Sequence, residues 1–141
     1  MESIYKAIAA ACGAIASFFT GMPPLILVLL GVMSLDYATG LICGALGKSQ
    51  KTQGGGLSSR AAFEGLMKKT LILVVVGLAA LVDIAVASGA GVSFSAITGA
   101  VCLWFIASEG VSILENAAEM GLSVPQPLVR ALEVIKSGQD G

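Results

Sequence analysis

Four apolar stretches, at 4–20, 24–47, 70–87 and 92–114, divide the chain, and each has the length and composition of a helix rather than a strand. Crossing about 30 Å of hydrocarbon takes ~20 apolar residues at 1.5 Å rise. The second stretch, introduced by "GMPP" with proline suitably placed at a helix start, satisfies this. So do the third, "TLILVVVGLAALVDIAVA", and the fourth. The first is shorter and Ala-rich. It either spans or lies in the interface as a separate helix. Its "AIAAACGAIA" also has the look of a signal-peptide core, although Lys6 is offset by Glu2, which weakens the basic start such a signal needs.

Composition sets the solvent. Of 141 residues, 56% are hydrophobic and 12% charged, and the mean hydropathy is +0.91. A soluble domain of this size would lack the polar surface to cover its core. The pattern predicts an all-α integral membrane protein forming one membrane domain. It has three to four transmembrane helices and a cytoplasmic tail, 115–141, with a short amphipathic helix. The net charge of −1 gives no reason to expect a nucleic-acid partner. With no His, no paired-carboxylate motif and three scattered cysteines in apolar surroundings (Cys12, Cys43, Cys102), neither catalysis nor a metal or other cofactor is expected.

Charge then sets the orientation. The connection 48–69 carries Lys48, Lys51, Arg60, Lys68 and Lys69 against Glu64 alone, which makes it a cytoplasmic basic loop by the positive-inside rule. Such a loop can also touch anionic headgroups. Its "GGG" lacks the GK[ST] of a phosphate-binding loop. The connection "SGAGV" is uncharged and suits an external turn, and Arg130 and Lys136 put the tail inside. If the first segment spans, both termini are cytoplasmic; if it does not, three spans remain.

Polar residues inside the apolar stretches are the candidates for function. Asp36 and Thr39 share a helix face. Gly40, Gly44 and Gly47 recur at four- and three-residue spacing, and Ser95 and Gly99 form a second small pair; both patterns suit close helix packing or oligomerisation. Asp83 sits near the outer end of the third stretch. Glu109, Ser112, Asn116 and Glu119 fall on one helical face, with Glu115 beside it. A carboxylate at mid-bilayer costs roughly 2.5–3.5 kcal/mol on insertion scales. Asp36 and Asp83 therefore either bond a neighbouring helix, line a water-filled path or hold subunits together.

Three passages, "LDYATGLICGALGK", "SRAAFEGLMKK" and "ASEGVSILENAAEMGLSVPQPLVRAL", resemble the phage lysis and toxin-secretion holins of Gram-positive systems. Asp36 and Gly40 match an Asp-x-x-x-Gly step. Gly65, Leu66, Lys68 and Lys69 match the approach to the third segment, and Val82, Asp83 and Ile84 match a "VDI" step. The block from Glu109 to Asn116, followed by Gly121 to Pro125, is the most specific part. The likeness covers about residues 25 to 136 and leaves the first segment outside. Gly110 and Ser123 depart from the common pattern. The resemblance implies homo-oligomers in the bacterial cytoplasmic membrane, lesions that collapse the membrane potential, and release of an endolysin or toxin without necessary direct contact. An antiholin is a further partner it allows. The alternative is a small channel or scaffold subunit of a larger complex.

Overall fold

The computed structural model describes residues 1–20, 22–91 and 96–138, with backbone only for 18–20. The described residues form five α-helices: α1 (Glu2–Thr20), α2 (Pro24–Ala45), α3 (Ser59–Ala90), α4 (Ala96–Glu119) and α5 (Gln126–Ser137). A short 3₁₀ turn, Gln53–Gly55, lies in the connection before α3. Among the described residues, α2, α3 and α4 are long and apolar enough to cross a membrane, and α1 does not join them. The protein is an all-α membrane protein.

Local chemistry sets the helix boundaries. Pro24 opens α2, where its missing N–H costs nothing. At its other end Gly47 turns left-handed (φ 71°), the Lys48 amide donates to the Cys43 carbonyl at 3.0 Å and the Gly47 amide to Gly44 at 3.0 Å. This double closure ends α2 at Ala45, so Gly47 serves as a helix terminator rather than a packing residue. Gly121 (φ 92°) ends α4 in the same way.

The third helix differs most from the sequence pattern. It begins at Ser59, whose neighbour Ser58 caps it by accepting from the Ala61 amide at 3.3 Å. Its 32 residues span about 48 Å, well beyond one hydrocarbon thickness. Arg60, Lys68 and Lys69 are therefore helical residues and not part of a loop. The basic connection shrinks to the stretch between α2 and α3, which retains Lys48 and Lys51.

α4 is central and packs against α2, α3 and α5. Leu29 and Met33 of α2, Ile72 and Val76 of α3 and Cys102 of α4 form the buried core. The outer face of α3 is left to lipid: Leu71, Val74, Leu78, Leu81 and Ile84 are each more than half exposed. α1 is exposed from Glu2 to Ser17 and makes at most slight contact with the bundle. α5 folds back along α4. A Cβ on Gly110 would stand 3.0 Å from both Leu132 methyls, so the glycine allows this approach. One turn further on, the Lys136 ammonium lies 5.7 Å from the centre of the Trp104 ring, a cation–π contact.

Candidate functional site: a charged network between three helices

Asp36 from α2, Lys69 from α3 and Glu109 from α4 meet inside the bundle. The Lys69 ammonium donates to Asp36 Oδ2 at 2.7 Å and is also paired with Glu109. Lys69 and Glu109 are buried, and Asp36 is partly so. One cation thus ties together two carboxylates from two other helices. Asn116, 1% exposed, extends the network. Its side-chain nitrogen donates to Thr39 Oγ1 at 3.0 Å and Asp36 Oδ1 at 3.3 Å. Its oxygen accepts from the Lys51 ammonium at 3.0 Å, and that ammonium also donates to Ser112 Oγ at 3.2 Å. Glu119 closes the same end, accepting from the Cys43 thiol at 3.3 Å and the Gln50 amide at 3.4 Å.

Helical periodicity brings these groups together. Asp36, Thr39 and Gly40 lie on one face of α2, and Glu109, Ser112 and Asn116 on one face of α4. The two faces look at each other. Gly40 lies in this seam, where a Cβ would make ordinary contact with Asn116 Nδ2 at 3.7 Å. Among the described residues no buried side-chain nitrogen or oxygen lacks a partner. That completeness is what a low-dielectric setting demands, where removing one member of a buried pair costs about 3–5 kcal/mol.

Asp83 does something else. Its Oδ1 accepts from the Ile97 amide at 3.1 Å, and its Oδ2 accepts from the Thr98 amide at 2.8 Å and the Thr98 hydroxyl at 2.5 Å. A carboxylate on α3 thus satisfies the unpaired amides that begin α4, where the helix dipole also favours negative charge. In the protomer, Asp83 bonds a neighbouring helix.

The other candidates are placed as follows. Gly44 faces the connection, with a Cβ there 3.2 Å from a Leu57 methyl. The Gly40–Gly44 face is therefore turned toward Asn116 and Leu57 of the same protomer. Gly99 has open space around it. Ser95 lies outside the described residues. Glu115 and Lys48 are exposed, and Arg60 pairs with Glu64 at 2.9 Å on the surface, where such pairs contribute little. The central role of Lys69 is missed by sequence reasoning, which leaves it in a loop. The available signal is the run "AAFEGLMKK", mostly good helix formers apart from Gly65 and free of proline, leading straight into the apolar stretch.

A match to a bacteriophage holin family runs over residues 13–137. The chain belongs to the bacteriophage holin family. Its match takes in the second half of α1, which the likeness read from sequence left outside. An uncharacterized protein of Halalkalibacterium halodurans is 31% identical to this holin-family chain over 99% of its length and 98% of the relative's. An uncharacterized protein of Clostridium perfringens, from the nagH 3′ region, is 35% identical over 81% of the chain and 77% of the relative. A probable holin of Bacillus phage phi105 is 34% identical over 60% of the chain and 58% of its own length. No solved structure matches this holin-family chain.

Proposed function

We propose that the chain acts as a holin in the bacterial cytoplasmic membrane. Protomers accumulate as closed bundles, then associate and open, so that the faces carrying Asp36, Lys69, Glu109 and Asn116 surround water. The lesion dissipates the membrane potential and lets an endolysin or toxin through without direct contact, and an antiholin is a partner that could delay it. Passage is passive, with no covalent step. The observation that carries this reading is the charged network itself. The bundle presents apolar side chains to lipid and keeps a hydratable face inside, held closed by bonds that water could replace.

The proposed orientation puts the 46–58 connection, the segment after α4 and α5 in the cytoplasm. The connection and the inner end of α4 lie together, tied by the contacts of Lys51 with Asn116 and Gln50 with Glu119, and α5 folds back from that end along α4. A cytoplasmic N-terminus follows if α1 crosses as well.

The test separates folding from opening. Asp36→Leu, Lys69→Met and Glu109→Leu together replace the ions by apolar groups of similar volume, a change that is often neutral or stabilising. The triple variant should insert and accumulate as the wild type does, yet fail to collapse the potential of expressing cells. Normal collapse in that variant would refute the reading. Wild-type expression that leaves the potential intact would favour a scaffold subunit instead.

A further inference from the structure

We propose that this protein binds one anionic phospholipid, with its phosphate in a lysine-lined cavity between α2, α3 and α4 and an acyl chain in an adjoining apolar groove between α3 and α4. The proposal needs the chain to lie in a membrane and does not depend on lesion formation.

The cavity encloses about 400 Å³ beneath the connection between α2 and α3. Lys51, Lys68 and Lys136 reach it from three different parts of the chain. None of the three lies within ion-pair distance of a carboxylate among the described residues. Lys51 is held by Ser112 and Asn116, both uncharged, which fixes its position, and its charge also acts on nearby Asp36 without forming an ion pair. Asp36, at the floor, is matched by Lys69. Glu115 is the remaining carboxylate on the wall, set against the ammonium groups of Lys51, Lys68 and Lys136. The positive charge and the Ser108 hydroxyl suit a phosphate oxyanion.

The second part of the site is apolar. A groove of about 290 Å³ runs between Leu71, Ile72 and Val75 of α3 and Trp104 and Phe105 of α4, with Glu109, paired with Lys69, also on its lining. Lys68 and Ser108 line both the groove and the cavity. The Lys136 ammonium joins them again, since it lines the cavity while lying over Trp104 of the groove. A soluble phosphate would use only the first space; a molecule with an anionic head and an apolar tail fills both. The depth also fits. Ala90, the last residue of α3, lies about 33 Å beyond Lys68, close to one hydrocarbon thickness, so with Ala90 at one boundary Lys68 reaches the other, where phosphates reside. The lipid belongs to the leaflet on the side of the basic connection.

Trp104, the single tryptophan, reports on the groove. The full chain is reconstituted in phosphatidylcholine vesicles containing a fixed fraction of either brominated phosphatidylglycerol or brominated phosphatidylcholine. Quenching of Trp104 by the anionic lipid should show a relative affinity about fivefold higher per engaged lysine. Lys68→Gln should lower that preference, and Lys68→Arg should retain it. Lys68 is exposed and takes part in none of the bonds that hold the bundle, so neither change threatens folding. Native mass spectrometry of the wild type should retain one anionic lipid per protomer. Equal quenching by the two lipids, or a preference untouched by Lys68→Gln, would overturn the proposal. So would an unlabelled inorganic phosphate that displaces the anionic lipid while the groove stays empty, since the site would then be one for a free anion.

Discussion

Replacing Lys69 by Met isolates the contribution of the shared cation. Methionine keeps most of the stem volume, so the cavity term is small. What is lost is the only ammonium within ion-pair distance of Asp36 and Glu109 among the described residues, leaving two carboxylates from α2 and α4 inside the bundle without it. Breaking a buried pair by removing one partner costs about 3–5 kcal/mol. Asp36 retains its bond from Asn116 at 3.3 Å, which places the expected loss toward the lower end of that range. Asp36→Asn is the matched control. It leaves Lys69 and Glu109 as a one-to-one pair and keeps a side-chain oxygen facing the ammonium, so it should cost about 1 kcal/mol. Purified full-length protein in mild detergent is titrated with a denaturing detergent, and unfolding is followed by Trp104 fluorescence and circular dichroism. The midpoint should fall far more for Lys69→Met than for Asp36→Asn. If Lys69→Met is as resistant as the wild type, or the two variants lose equally, then Lys69 does not clamp the three helices and the argument fails.

Three further outcomes follow from the packing. Asp83→Ala removes the acceptors of the first turn of α4 and should cost about 1–2 kcal/mol, seen as faster hydrogen exchange at the Ile97 and Thr98 amides while the inner end of α4 stays protected. Gly110→Leu drives a side chain into Leu132, so α5 should leave α4 and trypsin should cut at Arg130 and Lys136 sooner with total helix content almost unchanged. Gly44→Leu meets Leu57 at the connection whereas Gly99→Leu enters open space, so only the first should lower resistance to denaturing detergent. Equal losses from both glycine variants would show that a general effect of leucine, rather than this contact, is at work.

Much of the architecture is written in local pattern. Apolar run length and low charge are enough for an all-α membrane protein, because lipid leaves the backbone few alternatives. The faces carrying Asp36 with Thr39, and Glu109 with Ser112 and Asn116, are visible as helical spacings. Spacing names a face but not what it opposes, so whether these residues look outward, toward water or toward each other is a tertiary fact. Lys69 is the clearest case. Rules that count basic residues between spans treat every lysine as interfacial, and its two partners lie 33 and 40 residues away in sequence. Gly110 shows a similar limit. As a departure from a family pattern it carries no message, and its use appears only once Leu132 is seen against it. Gly47, read as a packing residue, ends a helix, because a small residue at a regular interval serves either purpose.

The arrangement around Lys69 also has a consequence for biosynthesis. The chain enters the membrane from its N-terminal side, so Asp36 is in place 33 residues before Lys69 is made, and Lys69 a further 40 before Glu109. A nascent chain that has completed α2 and α3 holds one acid and one base at this level and can form a neutral hairpin. The arrival of α4 adds a second acid, and with it Asn116 to hold Asp36 and Lys51 in place. The last spanning helix to be synthesised is thus the one whose docking shifts the balance of charge, and the interval before it docks is when the young protein is most open to association with the wrong neighbour.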